Sequence, residues 1–257
     1  MLTAERSGPA PATAEAPQNL VLEVSEVDVY YGPIQALRRV SLHVAEREMV
    51  ALVGANGAGK STTLRAISGL LRPSHGEIRL EGNQVSGRAP QEIVKLGIAH
   101  APEGRDLFPT LSVIDNLQLG HWIRRGDRRD YEAQRERVME YFPKLRERAR
   151  QAAGTLSGGE QQMLVIARAL MSSPKVLVVD ELSLGLAPLI VQQLFEILHE
   201  VNAAGTSVLL VEQFVHMALA NTGRAYALAK GEVVLEGKSS DLLAEPDLIA
   251  AYLGGGH

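Results

Sequence analysis

Residues 49–62 read MVALVGANGAGKST, an apolar run that ends abruptly in glycines. An unbroken apolar stretch such as MVALV suits a parallel strand covered on both faces, because a half-exposed strand would alternate with polar residues. The residues that follow, Gly54-Ala55-Asn56-Gly57-Ala58-Gly59-Lys60-Ser61-Thr62, fit G-x-x-x-x-G-K-[ST] without a mismatch. Binding a phosphate needs backbone N–H groups that converge on an anion, and glycines let the chain bend tightly enough to aim them. A helix starting near Lys60 adds the positive end of its dipole. In such a loop Lys60 reaches the β- and γ-phosphates and the Ser61 hydroxyl binds Mg2+. The stretch therefore predicts a nucleotide site at the C-terminal end of a buried strand.

Two later runs share this character: KVLVVDE at 175–181 and SVLLVEQ at 207–213. Helix-favouring segments lie between the runs, at roughly 60–70, 158–172 and 188–203. The alternation predicts an α/β fold with a doubly wound P-loop NTPase core of the RecA-like kind. Ahead of the core, LVLEVSEVDV (20–29) and VSLHV (40–44) alternate apolar and polar residues, and EIRLEGNQV from Glu77 turns at Gly82-Asn83. These strands predict a small antiparallel β-subdomain. From about residue 88 to 155 strand signals mostly disappear, and a helical subdomain is expected to be inserted there. Its charged stretch 127–151 breaks at Pro143 and carries an apolar stripe of Val138, Met139, Phe142 and Leu145. YALAKGEVVLEG (226–237) reads as a hairpin turning at Lys230-Gly231. Residues 1–19 are rich in Ala, Pro and Thr and are expected to form a flexible tail.

Composition narrows the function from another side. The 257 residues carry a net charge of -4, which does not favour nucleic acid as a partner. With no cysteine, disulfides and thiolate-held clusters are excluded. No apolar run approaches the roughly 18–20 residues that cross a bilayer, and the N-terminus lacks the apolar centre of a signal peptide.

The run VLVV ends in Asp180-Glu181. A carboxylate at the end of a buried strand beside a phosphate loop can hold Mg2+, and that is Asp180. Glu181, one residue on, points elsewhere and can take a proton from an attacking water. A second glycine-rich helix entrance stands at 156–160, LSGGE. Ser157 and Glu160 have the spacing of a capping box. That does not account for Gly158 and Gly159, poor helix formers whose missing side chains suit the approach of a large anion to their amides.

LSGGEQQ, set between this phosphate loop and this DE-ending strand, resembles the signature of ABC-type ATPases, and the likeness extends over nearly the whole chain after residue 20. In that family two ATPase domains pair head to tail, so that Ser157, Gly158 and Gly159 would close on the γ-phosphate of ATP held by a second ATPase subunit. The resemblance further implies that Tyr31 stacks on adenine, with the adjacent Tyr30 as a competing candidate. It puts Glu103 at the position of a glutamine that touches Mg2+ and senses the membrane partner, Gln213 at a switch histidine and Leu186 at a common aspartate. PEGR, SLGLAP and VEQ are similar to the LivF type of ATPase in branched-chain amino-acid importers, although Leu182 stands where that subgroup has proline. The implied partners are transmembrane permease subunits and, through them, a periplasmic binding protein, with the chain on the cytoplasmic face of the inner membrane. Urea and short-amide importers use similar ATPases. A non-transport ABC ATPase fits less well, because only 97 positions separate Lys60 from Ser157 (157 minus 60) and leave no room for a long coiled coil.

Overall fold

A computed structural model of the chain describes residues 19–104, 106–124, 128–245 and 251. The tail expected at 1–19 lies, apart from Asn19, outside the described residues. The chain opens with β1 (Leu20–Tyr31) and β2 (Ile34–Ala45), then β3 (Met49–Val53) and helix α1 (Lys60–Ile67). After β4 (His75–Leu80) and β5 (Asn83–Gln84) come α2 (Pro90–Leu96) and β6 (Ile98–Ala101). Helices α3 (Val113–His121), α4 (Arg128–Tyr141), α5 (Pro143–Glu147) and α6 (Gly158–Leu170) lead to β7 (Val176–Asp180). The remainder is α7 (Pro188–Ala203), β8 (Ser207–Glu212), α8 (Val215–Ala220), β9 (Arg224–Ala229), β10 (Glu232–Lys238) and α9 (Ser239–Ala244).

The strands make two sheets. One is antiparallel, in the order β2-β1-β4-β5; the other runs β10-β9-β3-β8-β7-β6 and is parallel except for the β9–β10 hairpin. Every residue of β3, β7 and β8 is buried, as the unbroken apolar runs require. Alternate residues of these strands serve opposite faces. Val50, Leu52, Val178, Leu209 and Val211 pack with the antiparallel sheet and with Leu64 and Ile67 of α1. Ala51, Val53, Leu177, Val179 and Leu210 pack with Leu164 of α6 and Leu194 and Leu198 of α7. The antiparallel sheet with α1 thus covers one face of the parallel sheet, and α6 and α7 cover the other.

Two elements depart from the sequence reading. β6 lies inside the stretch expected to be all helical, and it pairs in parallel with β7 from Ile98↔Val176 to Ala101↔Val179. Its four residues, IAHA, hold two alanines and a half-buried histidine, too short and too weakly β-favouring to show a period. β2 begins at Ile34 rather than 40, through a tight turn in which Gly32 takes a φ of 58°; its exposed Arg38 and Arg39 mask the alternation. The predicted break at Pro143 is present: it starts α5, and Val138, Met139, Phe142 and Leu145 are all buried. β3, β7 and β8, and β6 through the loop to Glu103, deliver their following residues to one end of the parallel sheet, where ligands of such folds bind.

Candidate nucleotide site

The phosphate loop is shaped by its glycines. Gly57 and Gly59 have φ of 78° and 113°, a region that side-chain-bearing residues avoid. A Cβ at Gly54 would lie 2.4 Å from the Leu228 carbonyl oxygen. The loop is tied to the β9–β10 turn by the Gly231 N–H, which donates to Ala58 O at 2.8 Å. A cleft of about 380 Å3 opens above it, lined by Asn56, Gly57, Gly59, Lys60, Ser61, Thr62 and Glu181, with Ile34–Ala36 and Lys230 on its rim.

Lys60 is buried and donates to the carbonyls of Gly54 (2.9 Å) and Ala55 (3.3 Å). Its Nζ also stands 3.7 Å from Glu181 Oε1. Glu181 has a φ of 45°. Residues with a Cβ hold that left-handed conformation at a cost of roughly 1–2 kcal/mol, and such strain collects at functional turns. Leu182, which stands where the resembling subgroup has proline, is fully buried in the main apolar cluster, and nothing in the structure explains the departure.

Asp180 is 6% exposed, and its Oδ1 is buried without a hydrogen-bond partner. Burial first, then the charges of Glu181 and Glu103, push its carboxyl up to about 6, with Lys60 opposing. Folded, the chain therefore holds this proton more tightly than unfolded, so Asp180 destabilises the ion-free fold above pH 6 and the penalty fades toward pH 4. In EDTA at pH 8, Asp180→Asn should raise the melting temperature by roughly 5 °C, from on the order of 2 kcal/mol of relieved penalty. The gain should vanish near pH 4; a lower melting point than the parent at pH 8 would contradict this account of the site.

Tyr31 is placed beside the phosphate-loop helix. Its hydroxyl accepts from Arg65 Nη1 at 3.2 Å, and burial, which would raise its pKa, is outweighed by hydrogen bonds to Thr62 and Arg65. No such contact joins Tyr30 to α1 among the described residues. Glu103 is exposed at the turn after β6, close enough for its charge to act on Asp180.

The remaining expected residues stand apart from this cleft. Gln213 is exposed and lines a separate cavity of about 950 Å3 with Ser183, Leu184, Leu186 and Phe214. Neither Ser157, Gly158 nor Gly159 lines the phosphate-loop cleft of its own chain. Ser157 forms the full capping box of α6: Glu160 N–H donates to its Oγ at 3.4 Å, and its own N–H and hydroxyl donate to Glu160 Oε2, both at 2.9 Å. A Cβ at Gly159 would lie 2.6 Å from Ile190 Cγ2, so the packing of α6 on α7 already demands glycine. Packing thus supplies a second reason for glycine at 159, beside the approach of an anion to the amides of Gly158 and Gly159. Sequence reasoning missed Lys230, which it used only as a turn marker, and Glu212, a carboxyl closing a fully buried strand.

A phosphate loop at the end of a parallel strand, with two consecutive carboxylates at the end of the strand next but one in the same sheet, defines a P-loop nucleoside-triphosphate hydrolase. Residues 37–183 match the ABC transporter family model. The chain is 48% identical over 235 residues to the high-affinity branched-chain amino acid transport ATP-binding protein BraG of Pseudomonas aeruginosa, covering 91% of this chain and all of BraG. It is 34% identical to the probable branched-chain amino acid transport ATP-binding protein LivF of Archaeoglobus fulgidus, over 87% of this chain and 94% of that one. Among solved structures it resembles an ATP-binding cassette of an ABC transporter in its ADP conformation, with TM-score 0.83, 26% identity, and coverage of 92% of this chain and 100% of that one. A dimeric cassette in a post-hydrolysis state with ADP and Pi superposes with TM-score 0.73 at 28% identity, over 85% and 98% of the two chains. The chain belongs to the ABC transporter family, as an ATP-binding subunit that hydrolyses ATP. No helix among the described residues is long and apolar enough to cross a membrane.

Proposed function

We propose that the chain energises import of leucine, isoleucine and valine, paired with a second ATPase subunit at the cytoplasmic face of the inner membrane. The pair would drive separate transmembrane permease subunits supplied by a periplasmic binding protein. The substrate assignment is carried by the 48% identity to BraG along that protein's whole length. Residues 20–257 act as one ATPase domain, its helical subdomain centred on α3, α4 and α5.

The donor set suits Mg2+: the buried Asp180 oxygen has no partner, its carboxyl is raised by burial and then by neighbouring carboxylates, and the Ser61 hydroxyl belongs to a residue lining the phosphate-loop cleft. Asp180 and Ser61 would hold the ion, with Glu103 contributing its charge, and the ion would supply neutralisation of charge on the β- and γ-phosphates. Amides of residues 54–62 cradle the phosphates, and Lys60 exchanges the Gly54 and Ala55 carbonyls for phosphate oxygens. Glu181 accepts the proton of the water that attacks the γ-phosphorus. Tyr31 carries the adenine. The partner's equivalents of Ser157, Gly158 and Gly159 close on the γ-phosphate, and Gln213 acts from the loop after β8.

Deleting the coding sequence should abolish binding-protein-dependent uptake of radiolabelled leucine, isoleucine and valine. The parent gene should restore it and the Glu181→Gln gene should not. Undiminished uptake of all three, with urea or short-amide uptake lost instead, would overturn the assignment.

A further inference from the structure

Glu212 ends β8 and is 1% exposed. A buried carboxylate is costly unless hydrogen-bonded, and Glu212 commits both oxygens to one residue. Ser183 donates its backbone N–H to Oε1 and its hydroxyl to Oε2, each at 3.0 Å. Ser183 lies two residues beyond Glu181, whose own N–H donates to Val211 O at 2.9 Å. Two consecutive residues of β8 thus grip the chain on both sides of the turn that contains Glu181. Between the grips Glu181 keeps its φ of 45°, a conformation that persists only where the surroundings over-determine it.

We infer that Glu212 is a positioning residue for ATP hydrolysis: through Ser183, its carboxylate holds the Glu181 turn so that the Glu181 side chain stays in the cleft beside Lys60. The inference rests on the reading of Glu181 as the base. Satisfying Ser183 alone would not call for a carboxyl at this place. Burial pushes the Glu212 carboxyl up, donors from Ser183 and Gln213 pull it back, and the Glu181 charge adds to the rise. The chain keeps an acid in unfavourable surroundings where its two-pronged acceptor geometry is what the turn uses.

Steady-state hydrolysis of Mg·ATP by the full chain tests this. Glu212→Leu keeps the volume and removes both acceptors. It should lower kcat about tenfold or more while KM for ATP and the ATP-dependent melting shift stay within about twofold of the parent. Glu212→Gln, which still accepts the Ser183 N–H, should recover kcat to within about threefold. Ser183→Ala removes only the hydroxyl bond and should cost about threefold in kcat, which decides the matter if Glu212→Leu does not fold. Parental kcat in Glu212→Leu or Ser183→Ala, a loss seen in KM instead, or a Glu212→Gln as slow as Glu212→Leu would overturn the inference. The base reading fails separately, through normal turnover by Glu181→Gln.

Discussion

Glu181→Gln should bind ATP as the parent does and hydrolyse it about 10²–10⁴-fold more slowly, the range expected when a general base is lost. The substitution is close to isosteric, and the turn that carries it is held by bonds the side chain does not make: Glu181 N–H to Val211 O and Ser183 to Glu212. Lys60 keeps its two carbonyl partners when the 3.7 Å ion pair is lost. The defect should therefore sit in kcat, with the ATP-dependent rise in melting temperature intact. Saturation at about 100 times Kd stabilises by about 2.7 kcal/mol, a shift of roughly 5–10 °C in a chain of this size. Near-normal turnover by this variant would remove Glu181 from the role of base.

The cleft was legible because its chemistry is encoded in short, contiguous stretches. A phosphate loop needs particular residues at fixed spacing, and the apolar runs into Gly54 and Asp180 place both stretches at the ends of buried strands. What escaped depends on contacts between distant segments. β6 is recognisable only beside β7, since Ala99 and Ala101 have little β preference of their own. Lys230 reaches the cleft because Gly231 N–H bonds Ala58 O, joining the β9–β10 turn to the phosphate loop. Glu212 reads as an ordinary strand end until Ser183 is seen to occupy both its oxygens. Gly159 was legible as an anomaly, but the packing reason for it was not, because Ile190, which a Cβ there would meet, lies 31 positions away (190 minus 159).

One hydrolytic site is proposed to be built from two chains, the phosphate loop of one and the Ser157 loop of the other. Lys60→Ala removes the buried cation from the cleft and should abolish the ATP-dependent melting shift along with hydrolysis. Ser157→Arg should leave that shift intact, because Ser157 does not line its own chain's cleft, yet should block hydrolysis by setting a long side chain where the partner's γ-phosphate docks. Ser157 also caps α6, so Ser157→Ala, expected to cost about 1 kcal/mol of stability, serves as the control for loss of the cap alone. In a mixed pair the two lesions fall on the same composite site, and the other site carries neither. Mixing the two inactive proteins and measuring phosphate release in Mg·ATP is the direct test. Hydrolysis should reappear, at a fraction of the parental rate, with Ser157→Ala active throughout; hydrolysis at the parental rate by Ser157→Arg alone would rule out the two-chain site and leave the second loop as nothing more than a helix cap.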